Sequence, residues 1–503
     1  MAFFEASEGP WPALLIGVPL LAAFTAIVTW RAARLLIWSG AAVVPVLSVV
    51  LLARVIHAGG LRLPIGGWAP PLGIAFAVDG LSAGFIVVTG LVMAGVLLFA
   101  LPQFTASAPG AAESRAGYAF VPLVFLAWAA LNALFLSGDL FNLYVALELL
   151  TLSAVALVAI DGRSGTIAAA IRYALFGLFG SLAYLLGAAL LYAVHGTLDM
   201  ALIAERATAD GATVIAGALM TAGLAAKTAL FPFHAWLPPA HSGAPAPASA
   251  ILSGLVPKAS FYIIVRIWFD VMPQAAGTIM PVLLGVLGSC AIIYGSVLAI
   301  RQEQLKLVIA YSTVAQLGYL FLIFPLAGGG GEPQPWAAGA WTGGIIHAFS
   351  HALAKAAMFL CAGLFMEALG HDRIAGLRGA AHHLPLTVFA FALAGVSLMG
   401  LPPSGGFTAK YLLLTASFAG GQIGWAIVIM VGGLLAALYL FRPLTYAFTR
   451  RGLEEREFAR VPRPRQVIPL LLAGLSILLG IASAAPYDIL QIGRPHAAVE
   501  GLE

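Results

Sequence analysis

Residues 225–254 of the chain read AAKTALFPFHAWLPPAHSGAPAPASAILSG. The first part of this stretch is apolar but contains Lys227, and Pro232, Pro238 and Pro239 follow it within about three helical turns. Proline inside a helix removes a backbone hydrogen bond and breaks the helix. At membrane depth, irregular backbone persists only where it is buried in protein or lines a wet cavity. The stretch therefore predicts a membrane helix that is interrupted close to a buried lysine.

A second stretch, MGLPPSGGFTAKY, repeats this composition later in the chain. Here the helix-breaking residues Pro402, Pro403, Gly405 and Gly406 precede Lys410, and apolar sequence flanks them on both sides. Two interrupted helices in corresponding places of two halves are typical of a transporter built from an inverted repeat. The alternative is that both proline clusters lie in ordinary loops between helices.

The positions of the two breaks predict how the chain is divided. Residues 118–270 and 277–448 are expected to form the two inverted repeats, with five helices each. Residues 1–117 then form an N-terminal segment of three helices, and residues 449–503 form a basic loop and a final helix.

The composition excludes most other classes of protein. Of the 503 residues, 61% are hydrophobic and only 9% are charged, whereas soluble proteins carry about 25% charged residues. The longest strongly polar run, residues 450–465, is far shorter than a domain. The net charge of +4 forms no dense basic patch, so a nucleic-acid-binding function is not expected. The chain is predicted to be an all-α polytopic membrane protein.

The number of membrane spans follows from the thickness of a bilayer, since a hydrocarbon core of about 30 Å needs roughly 20 apolar residues per helix. By this measure the sequence predicts about fourteen spans. They lie near residues 11–30, 35–56, 80–102, 118–136, 140–160, 166–194, 212–236, 247–270, 277–300, 306–328, 339–369, 384–419 (interrupted), 423–448 and 467–485.

The basic residues predict the orientation in the membrane. Counted over alternate loops, 14 basic residues fall on one side and only Arg62, Arg206 and Arg494 on the other. Cytoplasmic loops carry the excess of arginine and lysine. We therefore expect both termini on the non-cytoplasmic side of a cell membrane, in contact with the lipid bilayer.

The lysines have a different distribution from the arginines. Only five of the 25 basic residues are lysines. Lys227, Lys258, Lys355 and Lys410 lie inside apolar spans, and Lys306 begins another. A charge at the bilayer centre costs at least about 3 kcal/mol, but a desolvated lysine can lose its proton whereas arginine cannot. This distribution predicts proton-transfer groups; the alternative is that the side chains extend to the membrane interface.

Glu148 is the acidic counterpart of these lysines in the apolar spans. It lies eight residues into the span that begins near residue 140, which places it about 12 Å deep at 1.5 Å per residue. A carboxylate at this depth stays ionised only if a cation is near, and Lys227 is the expected partner. A pair of this kind would hold the lysine charged when close and release its proton when apart. The alternative is a protonated glutamate that serves packing alone.

His347, His351 and Lys355 follow one another at intervals of four residues, so they line one face of a helix. Histidine titrates near neutral pH, and three titratable groups in one stripe are typical of a proton relay. A metal site would need a third ligand that the sequence does not offer, and packing is the alternative for either histidine alone.

Three weaker candidates are possible supporting groups. His234 lies close to the first break, Lys306 begins a span, and Asp79 precedes a span where it is more easily explained as a helix N-cap. No phosphate-binding or dinucleotide-binding glycine motif is present, and Cys290 and Cys361 have no partner at ligand spacing. We therefore expect no metal and no cofactor in this chain, and the chain is not predicted to be an enzyme by itself.

With these residues in view, the chain resembles the antiporter-like subunits shared by respiratory complex I, membrane-bound hydrogenases and Mrp-type cation/proton antiporters, and the D-type subunits of Mrp complexes most of all. The resemblance extends over nearly the whole length. The segments that carry it are FAVDGLS, SGDLFNLYVALELL, AAKTALFPFHAWLPPAHSGAPAPASAILSG, LKLVIAYSTVAQLGYL, HALAKAAMFLCAG and GLPPSGGFTAKYLL.

The resemblance implies a fold of fourteen helices with two inverted five-helix repeats and discontinuous helices 7 and 12. It also implies residue roles. Glu148 matches the glutamate of helix 5, Lys227 the lysine of helix 7, and Lys258 the central lysine of helix 8. The stripe of His347, His351 and Lys355 matches the relay of helix 11, and Lys410 the terminal group of helix 12.

Three functions are weighed on this basis. The first is the proton-translocating subunit of a multi-subunit Mrp-type Na⁺(K⁺)/H⁺ antiporter, with other hydrophobic subunits as partners. The second is a proton-pumping membrane-arm subunit of a complex I-like NADH:quinone oxidoreductase or membrane-bound hydrogenase, whose redox cofactors lie in partner chains. The third is a self-sufficient transporter of an organic solute, which predicts a substrate pocket rather than a row of titratable groups.

Overall fold

A computed structural model describes residues 11–105, 115–328, 336–449 and 458–494, and 83% of them are helical. Helices 1–6 are Trp11–Val28, Ala33–Ala58, Gly80–Thr105, Arg115–Leu136, Leu140–Val158 and Ser164–His195. Helix 7 is Gly211–Thr228 (7a) and Leu237–Gly243 (7b), and helix 8 is Ala246–Gly254 (8a), Val256–Val265 (8b) and the π-helical turn Arg266–Val271. Helices 9–11 are Ile279–Arg301, Leu305–Phe321 with Ile323–Ala327, and Ala337–Leu369. Helix 12 is Pro385–Met399 (12a) and Gly405–Ala419 (12b), helix 13 is Ile423–Phe448 and helix 14 is Arg463–Ile481.

Short elements connect these helices. A two-stranded antiparallel hairpin of Leu61–Pro64 (β1) and Ala75–Val78 (β2) pairs Leu61 with Val78 and Pro64 with Ala75. The short α-helices are Met200–Arg206, Ala380–His383 and Ala484–Gln491. The 3₁₀ turns are Trp30–Ala32, Ile65–Gly67, Phe233–Trp236, Pro273–Ala276 and Ile374–Leu377.

The predicted architecture is confirmed. Within the described ranges, thirteen helical segments are long and apolar enough to cross a membrane, and helix 12 supplies the fourteenth crossing as two short halves. The interruptions of helices 7 and 12 are therefore breaks inside the membrane rather than loops between helices. The chain is a polytopic α-helical membrane protein.

The first break lies closer to Lys227 than the prolines suggested. Helix 7a ends at Thr228 because Ala229 adopts a left-handed conformation with φ of 59°. Pro232 lies in the irregular segment that follows, but Pro238 and Pro239 fall in the first turn of helix 7b. Proline is tolerated in a first turn because its missing N–H has no helical partner there. Pro238 and Pro239 thus begin a helix, and the expectation that they break one was wrong.

The second break needs a similar correction. Pro402 and Pro403 lie between the two halves of helix 12, whereas Gly405 and Gly406 are the first residues of helix 12b, which Ser404 caps. The glycines serve close packing, since a Cβ on Gly406 would lie 1.8 Å from the carbonyl oxygen of Ser397. Helix 8 has an additional interruption at Leu255 that the sequence did not predict.

The loops gather at two opposite ends of the helices. At one end, which we call the hairpin face (residues 59–79, 137–139, 196–210 and 482–494), Arg62 pairs with Asp199 at 2.6 Å, and the backbone of Gly80 donates to Ile492 at 3.0 Å. Two isolated antiparallel β-bridges also lie at this face. One joins Phe76 to Ser137, and the other joins Asp139 to Asp199.

The opposite end is the arginine-rich face (residues 159–163, 243–245, 302–304, 370–384 and 458–462). Arg163 donates to the carbonyl of Gly243 at 3.0 Å, and Arg465 pairs with Glu367 at 2.5 Å. Successive loops thus lie at alternate ends of the helices. This is the order that was assumed when the basic residues were counted over alternate loops. Arg450, Arg451 and Arg456, which contribute to that count, lie outside the described residues.

The most deeply buried helices include those that carry Lys258, Lys306 and Lys355. Helix 8 is buried throughout, and helices 10 and 11 are buried along most of their length. Helices 2, 6 and 13 instead present rows of exposed apolar side chains, such as Leu175, Leu178 and Leu182 on helix 6. In a bilayer this exterior faces lipid, which is as apolar as the side chains themselves.

Helices 6 and 7a cross at a pair of glycines beside Lys227. A Cβ on Gly180 would lie 2.5 Å from the carbonyl oxygen of Gly223 and 2.9 Å from Cγ of Lys227. Small residues at such crossings let two membrane helices approach closely. The glycines therefore set the distance between helix 6 and the lysine.

We expect Gly180→Ala to lower stability by about 1–3 kcal/mol, because overpacking against a fixed carbonyl cannot be relieved by a side-chain rotation. Thermal unfolding of the purified protein, followed by size-exclusion chromatography, measures the effect. Gly165→Ala on the same helix is the matched control, since a Cβ there meets nothing within 4 Å. Equal melting temperatures for the two variants would contradict the packing argument.

Candidate functional site

Glu148 and Lys227 form an ion pair between helices 5 and 7a. Lys227 Nζ lies 3.0 Å from Glu148 Oε1 and donates to Thr151 Oγ1 at 2.8 Å, while Ser181 donates to the same carboxylate oxygen. Lys227 is 4% exposed and Glu148 is 26% exposed. Because Lys227 lies in the last turn of helix 7a, the partial negative charge of the helix C-terminus also favours its ammonium. The structure thus brings together the pair that the sequence suggested.

Three further lysines contact backbone carbonyls at the C-terminal ends of helix segments. Lys258 donates to Ser253 at the end of helix 8a, Lys306 to Ala244 just after helix 7b at 2.5 Å, and Lys410 to Leu398 at the end of helix 12a at 2.8 Å. The last carbonyls of a helix have no partner within it, so they can accept from an ammonium. The breaks in helices 8 and 12, and the loop that follows helix 7b, therefore supply the acceptors for these lysines.

Carbonyl groups do not neutralise these lysines. Over the described ranges, Lys227 is the one lysine with a carboxylate within ion-pair distance. Within those ranges Lys258, Lys355 and Lys410 are buried without a counter-ion, and burying an unpaired ammonium is costly. All four lysines of the apolar spans are buried inside the protein, which argues against the alternative that their side chains extend to the membrane interface.

The helix 11 stripe faces helices 10 and 12. His347 Nε2 lies 3.1 Å from the carbonyl oxygen of Gln316, and Lys355 donates to the carbonyl of Ile309 at 3.0 Å and to Ser312. Both ring nitrogens of the buried His351 lack a hydrogen-bond partner in the described part of the chain. The rings of His347 and His351 are 5.9 Å apart. The three side chains therefore lie along one face of helix 11, as their four-residue spacing predicted.

Tyr319 lies between the stripe and Lys410. Its ring centroid is 5.3 Å from that of His347, and Lys410 Nζ lies 4.3 Å from the ring. A cation over an aromatic face is stabilised without a full counter-charge. The ring of Tyr319 therefore separates Lys410 from the helix 11 stripe.

The three supporting candidates lie in different places. His234 lies between the two halves of helix 7, where it stacks against Phe231 and meets the ring of Tyr294 edge-on. Lys306 is buried beneath a cavity of about 630 Å³ at the arginine-rich face, which Asp161, Arg163 and Glu367 also line. Asp79 caps helix 3 as predicted, accepting from the backbone of Ser82 at 2.9 Å.

Asp79 has a second role that the sequence did not reveal. Arg266, in the π-helical turn of helix 8, binds both of its carboxylate oxygens at 2.7 Å and also pairs with Asp270 at 2.6 Å. Burial by itself raises the pKa of Asp79, but the Arg266 guanidinium and the bonds from Ser82 hold it below its ordinary value. The sequence indicates this cluster by a lone arginine and aspartate in the apolar segment YIIVRIWFDV. Only arginines in loops were counted for the orientation, so Arg266 was not considered.

His241 is the other group that sequence reasoning missed. It lies in helix 7b, is completely buried, and neither ring nitrogen has a partner in the ranges described. Its ring stacks on Phe359 at 4.5 Å, and the charges of Lys306, Lys355 and Lys258 all act on it. The segment AHSGAP contained this histidine, but nothing in its apolar surroundings distinguished it from a packing residue.

The fold and the site together define a polytopic membrane protein with interrupted helices and an internal row of titratable side chains. The chain belongs to the NADH:quinone oxidoreductase/Mrp antiporter transmembrane family, whose model matches residues 137–436. This confirms the resemblance drawn from the sequence motifs.

Two relatives show the breadth of that family. The N subunit of the NADH-quinone oxidoreductase of Desulforudis audaxviator is 35% identical over 492 residues, which cover 93% of this chain and 95% of that protein. The D subunit of the Na(+)/H(+) antiporter of Alkalihalophilus pseudofirmus is 29% identical over 451 residues, 88% of each chain.

Solved structures agree with these relationships. A chain of the Mrp complex from a Dietzia species superimposes with a TM-score of 0.85 at 25% identity, covering 97% of this chain and 98% of that one. A chain of the archaeal membrane-bound sulfane sulfur reductase gives a TM-score of 0.85 at 26% identity, covering 96% of both. The fold is therefore shared along the whole chain.

Proposed function

We propose that the chain is the proton-translocating subunit of a multi-subunit Mrp-type Na⁺(K⁺)/H⁺ antiporter complex. The observation that carries this proposal is the row of buried lysines and histidines, in which, over the described ranges, a single carboxylate compensates a single lysine. Such groups are costly in a membrane and serve there as proton carriers. The similarity to the antiporter D subunits and to the Mrp complex supports this assignment.

The residues take the following roles. Glu148 controls the charge of Lys227, because their separation decides whether that lysine keeps its proton. Lys258 lies at the centre and receives the proton, and the helix 11 stripe passes it on through His347, His351 and Lys355. Lys410 is the last group in the row. Transfers between these side chains run through water, since successive lysines of the described row make no direct contact.

The division of the chain follows from the same proposal. Residues 118–270 and 277–448 are the two inverted repeats, with the interrupted helix 7 in the first and the interrupted helix 12 in the second. Helices 1–3 precede these repeats in the chain, and helix 14 follows them. The hairpin face is the non-cytoplasmic side of the cell membrane and carries both termini, since the arginine-rich face is expected to lie in the cytoplasm.

A second candidate is a proton-pumping membrane-arm subunit of a redox complex. The 35% identity to the N subunit of an NADH-quinone oxidoreductase favours it specifically. Under this candidate the same row moves protons, but electron transfer in partner chains drives the movement. Iron–sulfur cysteine patterns in the co-purified subunits distinguish it from the antiporter.

The experiment that tests the function is reconstitution of the purified native complex into liposomes that contain a pH-sensitive dye. An imposed Na⁺ or K⁺ gradient should move protons in the opposite direction without any electron donor. Proton movement that starts only when an electron donor and acceptor are added would support the redox candidate. A complex that moves protons under neither condition would overturn both.

A further inference from the structure

Helix 8 carries a second polar stripe that starts at the central lysine. Lys258, Tyr262, Arg266 and Asp270 follow one another at intervals of four residues, so they lie along one face of the helix. At 1.5 Å per residue this stripe covers about 18 Å, more than half of the hydrocarbon thickness. It runs toward the hairpin face, where helix 3 begins and helix 8 ends. The proposed path through helix 11 makes no use of it.

Hydrogen bonds connect the outer part of this stripe. The hydroxyl of Tyr262 lies 3.0 Å from Ser82 Oγ and donates to the carbonyl of Phe135 at 3.1 Å. Arg266 Nη2 donates to Ser82 Oγ at 2.8 Å and to Asp79 Oδ1 at 2.7 Å. Hydroxyl groups both donate and accept, so a chain of them can pass a proton. Tyr262 and Ser82 thus connect the interior of helix 8 with the carboxylates.

The cluster at the end of the stripe contains two carboxylates and one guanidinium. Arg266 is 7% exposed, whereas Asp79 and Asp270 are 17% and 23% exposed. Asp79 is held by both guanidinium nitrogens and by the backbone of Ser82, but Asp270 contacts Arg266 through Oδ2 alone. Like charges that share one counter-ion disfavour full ionisation of both acids. Asp270 is therefore the member of the cluster that can bind and release a proton.

Two local features indicate that the cluster is more than a structural ion pair. The Arg266–Val271 turn is a π-helix, and such turns are frequent at functional sites. Arg266 Nε is buried and has no hydrogen-bond partner in the part of the chain that the structure describes. A polar atom left unpaired at this depth is costly in a cluster that serves stability alone.

We propose that Asp270 is a proton-release site at the hairpin face, and that Tyr262, Ser82 and Asp79 connect it with Lys258. This inference rests on the proposed function, because it supplies the row of lysines with a second outlet. The proton leaves Lys258 Nζ, each hydroxyl gives up one proton as it accepts another, and Asp79 receives the last one. Asp79 Oδ2 and Asp270 Oδ2 both accept from Arg266 Nη1, so these two oxygens are neighbours and the proton passes from one to the other. Arg266 holds the acids in place and takes no part in the transfer, since its guanidinium does not lose a proton.

The outlet is closed in the conformation described. Lys258 donates to the carbonyl of Ser253 and not to Tyr262. The four methylene groups of lysine allow its ammonium to move to another acceptor on the same side of the helix. Release through this branch therefore requires Lys258 to leave Ser253.

The test compares variants of the intact complex in the liposome assay. Asp270→Asn and Tyr262→Phe should each lower proton flux about tenfold or more, the size of effect expected when a proton-transfer group is removed. Asp270→Glu should restore most of the flux. Glu205→Gln, an exposed acid on the same face, and Tyr184→Phe, a buried tyrosine that also donates to a backbone carbonyl, are the controls and should leave the flux unchanged.

The outcomes separate this inference from the function on which it rests. Wild-type flux in both Asp270→Asn and Tyr262→Phe, in a complex that exchanges ions normally, would overturn the outlet and leave the proposed function standing. A wild-type complex that moves no protons would overturn the function itself. If Asp270→Asn fails to assemble, Tyr262→Phe decides the question, because it removes a single oxygen and no charge.

Discussion

Lys227→Ala should reduce cation/proton exchange at least about 100-fold while leaving the complex assembled, since the loss of an essential proton carrier removes a whole transfer step. The structure gives two reasons for expecting so large an effect. Lys227 is the one described lysine paired with a carboxylate, and Glu148 is also bound by Ser181. Without the ammonium, Glu148 would lose its ion-pair partner and the pair could no longer switch. Proton flux in liposomes measures the loss, and gel filtration of the purified complex measures assembly.

Lys227→Arg distinguishes a lysine that must release its proton from one whose positive charge alone is needed. Arginine keeps the ion pair with Glu148, but it does not lose its proton under any physiological condition. We therefore expect this variant to be as inactive as Lys227→Ala, and at least as stable as the wild type at this contact. Substantial exchange in either variant would contradict the role of Lys227 as a carrier and would leave it a structural partner of Glu148.

Arg266→Met should lower the stability of the protein strongly. It removes the partner of two partly buried carboxylates, and breaking a buried ion pair from one side costs about 3–5 kcal/mol. The effect should appear as a lower yield of assembled complex and a lower melting temperature. These are measured on the protein in detergent, so they do not depend on transport.

The triple variant Asp79→Asn, Arg266→Met, Asp270→Asn is the matched control. Because it removes all three charges together, it leaves none of them uncompensated, and replacing a whole buried cluster is often nearly neutral for stability. We expect its yield to approach that of the wild type while its proton flux stays low. If Arg266→Met by itself were as stable as the wild type, the cluster would not be the ion pair that the geometry describes.

The sequence was a good guide wherever a residue's neighbours along the chain decide its environment. A lysine flanked by apolar residues on either side must enter the membrane with its helix, so Lys227, Lys258, Lys355 and Lys410 could be identified without a structure. The same reasoning predicted fourteen spans and the two interrupted helices. The spacing of His347, His351 and Lys355 determined that they share a face, since helical periodicity alone requires it.

The exact position of each helix break could not be predicted from the sequence. Pro238 and Pro239 were expected to end a helix, but they begin one, because proline is disfavoured inside a helix and favoured in its first turn. The residue that ends helix 7a is Ala229, whose left-handed backbone no propensity would predict. Local sequence indicates that a break is near, whereas packing decides which peptide groups it includes.

Partners that are distant in the chain depended on the tertiary structure entirely. Asp79 and Arg266 are separated by 187 positions, and Glu148 and Lys227 by 79. How the helices cross decides which carbonyl accepts from Lys258 or Lys410, and it places the ring of His241 on that of Phe359. By itself the sequence determined that charged groups are buried in a membrane, because apolar flanking residues carry them there. Only the tertiary structure decided which groups face one another, because the crossing of helices at close-packed glycines, and not the order of residues, fixes those distances.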